Sequence, residues 1–498
     1  MELPQLSRRE LLRAAGAASA LAALPTAAYG RQTQKKPDKR MNVLFLVVDD
    51  LNTWLLSDPN RYTGRVVAPA IQRLASEGVL FRRAYCNAPK CSPSRTAVLS
   101  GVAPWKSGIY QNAQSIGDSP ALKAAISLPQ VFKNNGYYTA SAGKISHGYD
   151  TKGAWDARIP HKRDPAPPNA PLSKIGRGEK DWGPTHLPES KMGDTRYADF
   201  AIAQLRKKHD KPFLIACGLF HPHYPWYVPQ KYLDMYPLDK IVLPERRDDD
   251  LADVPKEGVA LANPSTHEKI VKANEYGRAL QGYLASTSYA DAQMGRVLAA
   301  LEAGPYKDNT LVVLWSDHGF HLGEKSHWAK GTLWEEATHA LLMFKVPGVT
   351  KPKQICRRFV TFLDIYPTLV ELCGLPKPAH LDGNSLVGLL KNPVLAWDKP
   401  AMTGYLDMRD THVYLTVRTE NFRYIRYGKG SEEFYHCAKD PHEWTNLIHN
   451  PKYQDEITRH RAMLPPDPAA PIAFKVRKSK GSGEKRPKKP SRRSETGR

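Results

Sequence analysis

A chain of 498 residues with 41% hydrophobic content can bury one large core and a smaller satellite, which excludes a disordered or fibrous protein. Its formal charge of +22 suggests a polyanion binder, but the excess sits at the ends: residues 475–498 carry eleven Lys/Arg against two Glu, and residues 1–40 carry eight against three acidic residues. About +8 remains for the body, a moderate excess that suits an acidic substrate and calls for no nucleic acid.

In chain order, Ser7-Arg8-Arg9 precedes the small apolar run Ala14 to Leu24 and then Pro25-Thr26-Ala27-Ala28. That is the layout of a twin-arginine export signal over residues 1–28, so a periplasmic or extracellular protein is expected. The run is too short to cross a bilayer, and no other stretch has the roughly 20 apolar residues a spanning helix needs, so no transmembrane segment is expected. Short β-rich segments follow at Val43 to Val48, Tyr137 to Ala142, Phe213 to Cys217 and Leu311 to Trp315. Helical spacing of apolar residues marks Ala68 to Glu77, Ser127 to Asn134 and Tyr283 to Glu302. The alternation predicts an α/β fold whose central, mostly parallel sheet is covered on both faces.

Residues 148–193 are rich in Pro, Gly, Lys and Asp without periodicity and read as a long surface insertion. Residues 376–399 read as a connector. After it, Val413 to Val417, Phe422 to Tyr427 and Glu432 to His436 read as antiparallel strands before a helix around Tyr453 to Met463, a smaller C-terminal α+β subdomain. Residues 471–498 read as a solvated basic tail. Of the six cysteines, Cys86, Cys91, Cys217, Cys356, Cys373 and Cys437, at most two pairs could form if Cys91 is modified. No spacing typical of structural zinc is present.

Each predicted strand runs into reactive residues: Asp49-Asp50, Gly143-Lys144-Ile145-Ser146-His147, His221-Pro222-His223, and Asp317-His318-Gly319. Ligands of open parallel sheets bind beyond the carboxyl ends of the strands. Adjacent carboxylates at Asp49 and Asp50 are either a solvated turn or ligands of a hard cation. With Asp317 and His318 on another strand tip, the metal reading is preferred, although imidazole suits softer ions than calcium. Pro93 opens a helical run that sets Cys91 at a positive helix N-terminus, which makes Cys91 either a reactive thiolate or a buried structural thiol.

The run Cys91-Ser92-Pro93-Ser94-Arg95 with Leu99-Ser100-Gly101 resembles the Cys-x-Pro-Ser-Arg signature of the type I sulfatases. The order of Asn42 to Asp50, Gly143-Lys144 with His147, His223, Ser316 to Gly319 and His327-Trp328-Ala329-Lys330 agrees with it. The Asp317-His318 pair and Trp328-Ala329-Lys330 resemble the iduronate-2-sulfatase branch more than the arylsulfatases. The resemblance runs from about Asn42 to Gly374 and resumes faintly at Asp440 to Trp444; it leaves out the insertion and the tail.

The resemblance implies an alkaline-phosphatase-like α/β sandwich as a catalytic domain over 41–394 with a C-terminal subdomain over 395–470. It implies oxidation of Cys91 to formylglycine by a formylglycine-generating enzyme, and a divalent metal, expected to be Ca2+, at Asp49, Asp50, Cys91, Asp317 and His318. Arg95 and Lys144 would stabilise the hydrated aldehyde, and His147 would take its second proton. His223 and Lys330 would contact the sulfate, one of them protonating the leaving alcohol. The expected substrate is a sulfated sugar, with Trp155, Trp182 and Trp226 either stacking on sugar rings or packing loops. The rivals are a phosphodiesterase or phosphonate hydrolase of the same superfamily and a non-catalytic sulfated-glycan-binding protein.

Overall fold

Strand β1 (Asn42–Val48) shows how the core is laid out. Val43, Phe45 and Val47 enter the apolar cluster on one face, and Leu44, Leu46 and Val48 enter the cluster on the other. Side chains alternate across a strand, so a strand apolar at every position belongs inside a sheet covered on both sides. The computed structural model describes residues 40–475 apart from 57, 151, 177–179 and 410. The expected export signal at 1–28 and residues 476–498 of the expected tail lie outside the described residues.

The elements that frame the site are α1 (Pro69–Glu77), β2 (Val79–Tyr85), α2 (Cys91–Ser100), α3 (Leu128–Asn134), β3 (Tyr138–Gly143), β4 (Ala157–Pro160), α4 (Gly193–Arg206), β5 (Phe213–Leu219), α5 (Tyr276–Glu302), β6 (Thr310–Ser316), β7 (Leu342–Lys345), β8 (Gln354–Thr361) and α6 (Ile365–Leu372). The eight strands form one sheet in the order β8-β2-β7-β6-β1-β5-β3-β4. Only β7 is antiparallel to its neighbours. Helices α2, α3 and α6 cover one face, and α1, α4 and α5 cover the other. The expectation of a mostly parallel sheet between helices therefore holds.

A second sheet of four sequential antiparallel strands, β9 (Ala401–Leu406), β10 (Val413–Arg418), β11 (Arg423–Arg426) and β12 (Glu432–Tyr435), carries α7 (Gln454–Met463) on one face. Buried Arg423 fastens it to the main body through Glu335 and the Leu333 carbonyl (2.9 Å). Residues 472–475 run back along the body, with Ile472 N–H donating to Gly108 O (3.0 Å) and Lys475 N–H to Ala113 O (2.9 Å).

Two loop readings change. The insertion supplies β4 to the sheet edge and places Trp182–Pro184 in parallel pairing with Trp226–Val228. The connector contains the helix Val387–Lys391, whose Leu389 and Leu390 are buried in the main core. All six cysteines are buried and free.

Candidate active site

Because β1, β3, β5 and β6 are parallel neighbours, their carboxyl ends deliver Asp49-Asp50, Lys144, His223 and Asp317-His318 to one side of the sheet. Asp50 has φ 63, a conformation that costs a non-glycine residue energy and must be held by its surroundings. Its N–H donates to Asp317 Oδ1 (3.2 Å), its carbonyl accepts from Tyr283 Oη (2.9 Å), and Lys330 Nζ donates to both carboxylate oxygens at 2.6 Å. Asp49 has different partners, Lys144 Nζ and Arg95 Nη2, the latter at 3.2 Å. Two consecutive acids are thus separated by the backbone and neutralised by separate cations.

Cys91 is the first residue of α2, where unpaired N–H groups face outward. Ser92 N–H finds the Asn112 side chain at 2.9 Å. At the other end the helix stops on Gly101 (φ 71), where a Cβ would collide with Leu381. Cys91 Sγ lies 3.3 Å from His318 Nε2. Burial disfavours its thiolate, but Lys144, Lys330 and His318, with His147 nearby, hold Cys91 well below the ordinary thiol range.

Arg95, one turn on, is fully buried. Its Nε donates to Asp317 Oδ2 (2.8 Å) and its Nη1 to the Lys144 carbonyl, so one guanidinium ties three strand tips together. Ser94 Oγ donates to the Asp317 carbonyl.

Burial raises the Asp49 carboxyl and the Cys91 charge adds to that, yet Lys144, Arg95 and His223 prevail and hold it far below the usual range. Asp317 is pushed up to about 7 by burial and by Asp49, against Arg95. His318 is driven up to about 9: burial opposes its charge, but Asp317 and Cys91 favour it more. The cluster thus draws positive charge to its centre.

Ligand atoms of Asp49, Cys91, Asp317 and His318 lie within 4.8 Å of one another, as do those of Asp49, Asp50, Cys91 and His223. His318 Nδ1 is 2.9 Å from the Gly319 carbonyl, which makes Nε2 the nitrogen facing the carboxylates. Three buried carboxylates and one oriented imidazole fit a divalent cation.

His223 directs Nδ1 to the Tyr224 carbonyl (2.5 Å) and has Nε2 4.0 Å from Asp50 Oδ2. His221 is not part of the cluster. Its Nδ1 is 2.8 Å from Asp194 Oδ2, and Asp194 also accepts the N–H groups of Phe220 and His221. His327 and His339 bond to the backbone carbonyls of Ala262 and Arg82. Asp194, Tyr283 and Asn112 fix the site from other parts of the chain, and no local sequence signal singles them out.

Of the two readings of the tryptophans, loop packing holds for Trp182 and Trp226. Trp182 is 1% and Trp226 0% exposed, inside an aromatic cluster with Tyr224, Tyr283, Phe320 and Trp328, while Trp155 packs against the main core. Trp226 Nε1 donates to the Pro222 carbonyl (2.6 Å) and Trp182 Nε1 to Glu275 (3.0 Å). Trp182 and Trp226 therefore pack loops instead of offering faces to a sugar.

Residues 41–375 match the model of the sulfatase family. The chain belongs to the sulfatase family. Residues 323–464 of this sulfatase also match the C-terminal model of N-sulphoglucosamine sulphohydrolase. A sulfatase of Formosa agariphila is 39% identical over 456 residues, covering 87% of this chain and 88% of its own. The iduronate 2-sulfatase of Homo sapiens is 30% identical over 405 residues, covering 70% and 72%.

A solved structure described as being in complex with its substrate D-glucosamine-2-N,6-O-disulfate superposes with TM-score 0.69 over 85% of this chain and 97% of that one, at 22% identity. This sulfatase is accordingly a sulfuric ester hydrolase with the expected alkaline-phosphatase-like α/β fold and a C-terminal subdomain.

Proposed function

We propose that this sulfatase hydrolyses sulfate esters of a sulfated sugar or polysaccharide, with residue 91 oxidised to formylglycine by a formylglycine-generating enzyme and with one calcium ion beside it. The observation that carries the reading is the meeting of Cys91 with Asp49, Asp50, Asp317 and His318 on one side and Lys144, Lys330 and His147 on the other. The names of the human relative and of the glucosamine disulfate complex support a sulfated sugar as substrate.

Hydrated formylglycine supplies the nucleophile for sulfur. Asp49, Asp50, Asp317 and His318 would hold the cation, which would supply positive charge to the sulfate oxygens and to the nucleophile. Arg95 and Lys144 hold Asp49 as the carboxylate, and Arg95 orients Asp317 beside residue 91. His147, beside residue 91, accepts the proton of the hydroxyl that does not attack. Lys330 Nζ, held 2.6 Å from both carboxylate oxygens of Asp50, serves as a fixed positive charge for a sulfate oxygen. That leaves His223 to protonate the departing alcohol. Residues 1–28 direct export by the twin-arginine route.

The test is sulfate release from a panel of sulfated oligosaccharides by enzyme co-produced with a formylglycine-generating enzyme. Release that EDTA abolishes and Ca2+ restores supports the proposal. No sulfate release from any of them, with turnover of a phosphonate monoester or phosphodiester instead, overturns it.

A further inference from the structure

A second concentration of positive charge lies away from the reaction centre. A cavity of about 310 Å3 is lined by Arg61 beyond β1, Arg82 and Arg83 of β2, Arg357 of β8, and Arg418 of β10. None of the residues grouped around Cys91 lines it. It lies where the β8 edge of the main sheet meets the C-terminal sheet.

The acids in its wall are already spoken for. Arg61 pairs with Asp58 (3.1 Å) and Glu336, and Glu335 is shared by Arg418 (3.2 Å) and Arg423. Among the described residues, no carboxylate pairs with Arg82, Arg83 or Arg357. The Nε of Arg82 is buried and has no hydrogen-bond partner; buried donors of this kind are rare in folded proteins. Arg83 and Arg418 lie over the ring of Phe359 at 4.8 and 5.2 Å, which steadies their guanidinium groups.

Arg357 also lines a second cavity of about 120 Å3 with Arg358, Phe359, half-buried Trp397 and exposed Lys399, its cations accompanied there by Asp398 and Glu420. The two cavities share Arg357 and Phe359's strand, so cations and aromatic surface continue along β8.

Guanidinium groups hold oxyanions through paired hydrogen bonds and stay charged at every physiological pH. We propose that this groove is a second, non-catalytic binding site for a sulfated carbohydrate chain, with Arg82, Arg83 and Arg357 taking a sulfate or carboxylate group. The oxyanion site stands on the cavity and its arginines; the assignment to carbohydrate rests on the function proposed above.

The experiment uses the full chain with Cys91→Ala, which cannot be converted and leaves sulfate esters intact. Calorimetry measures binding of a sulfated oligosaccharide and, separately, of sodium sulfate against sodium chloride at equal ionic strength. Arg82→Gln/Arg357→Gln in that background is expected to weaken oligosaccharide binding about tenfold or more, with Arg82→Lys retaining part of it. In the Cys91 enzyme the same pair should leave turnover of a small monosulfated ester unchanged, a result that also reports intact folding.

An arginine-dependent signal with sulfate alone supports the site with the free ion as a sufficient occupant. A signal with the oligosaccharide only supports a chain-borne group. Unchanged isotherms in the double variant overturn the site, and equal arginine-dependent binding of a DNA oligonucleotide of matched charge overturns the carbohydrate assignment. Absence of sulfate-ester turnover by the parent enzyme, with oligosaccharide binding intact, would instead fault the proposed function.

Discussion

His221 and His223 stand two residues apart on one loop and do different work. Asp194 grips His221 through its ring and its backbone, whereas His223 turns Nε2 toward Asp50. His223→Gln is expected to lower kcat at least about a hundredfold with little change in Tm, as for loss of a general acid. His221→Gln should cost about 1–3 kcal/mol of stability by breaking a buried charged hydrogen bond. Parallel kinetics and thermal melts of the two variants check the division.

Trp226→Ala should destabilise the protein by about 3–5 kcal/mol, as a large buried deletion does. It should not selectively spare a small substrate over a polysaccharide, and the ratio of the two activities is the measurement. At this scale the sequence is legible where chemistry is local: Cys91 through Arg95, Asp49-Asp50 and Asp317-His318 can each be found without a structure. Tyr283 and Asp194 could not be found, because their roles exist only through partners far away in the chain, Asn52 and Asp50 for one and His221 for the other.

Among the elements, α1 and α5 show how a buried acid can serve a helix. Asp291 on α5 accepts the N–H groups of Ala70 (3.1 Å) and Ile71 (2.7 Å) in the first turn of α1, which suits the positive helix end. Burial nevertheless raises its carboxyl to about 6. Between the unfolded value of 3.8 and the folded value of about 6, the native state holds more protons than the unfolded one, so this group lowers stability as pH rises through that window. Asp291→Asn should flatten that part of the profile by on the order of 2–3 kcal/mol; denaturant melts of parent and variant at pH 4 and pH 7 measure it.

The four main-sheet strands read from sequence, β1, β3, β5 and β6, are buried on both faces. β2 and β8 were not legible because each carries an arginine pair, Arg82-Arg83 and Arg357-Arg358, and β8 is an edge strand whose pairing shifts between Cys356 and Phe359. β4 hides in the insertion because it too is an edge, with most of its residues exposed.

For the whole molecule, charge is sorted by location. The termini hold most of the +22, the buried cluster balances carboxylates with Arg95, Lys144 and Lys330, and the β8 groove sets Arg82, Arg83 and Arg357, with no carboxylate partner among the described residues, beside the paired Arg61 and Arg418. Among the described residues no helix is long and apolar enough to cross a membrane.

Every part of the catalytic proposal depends on residue 91. Peptide mass spectrometry on the fragment containing Cys91, from protein co-produced with a formylglycine-generating enzyme, therefore tests it most directly. The account predicts a loss of about 18 Da relative to cysteine, the change from a thiol-bearing carbon to the aldehyde that becomes the nucleophile. A peptide that retains the intact thiol in enzyme actively releasing sulfate would contradict it.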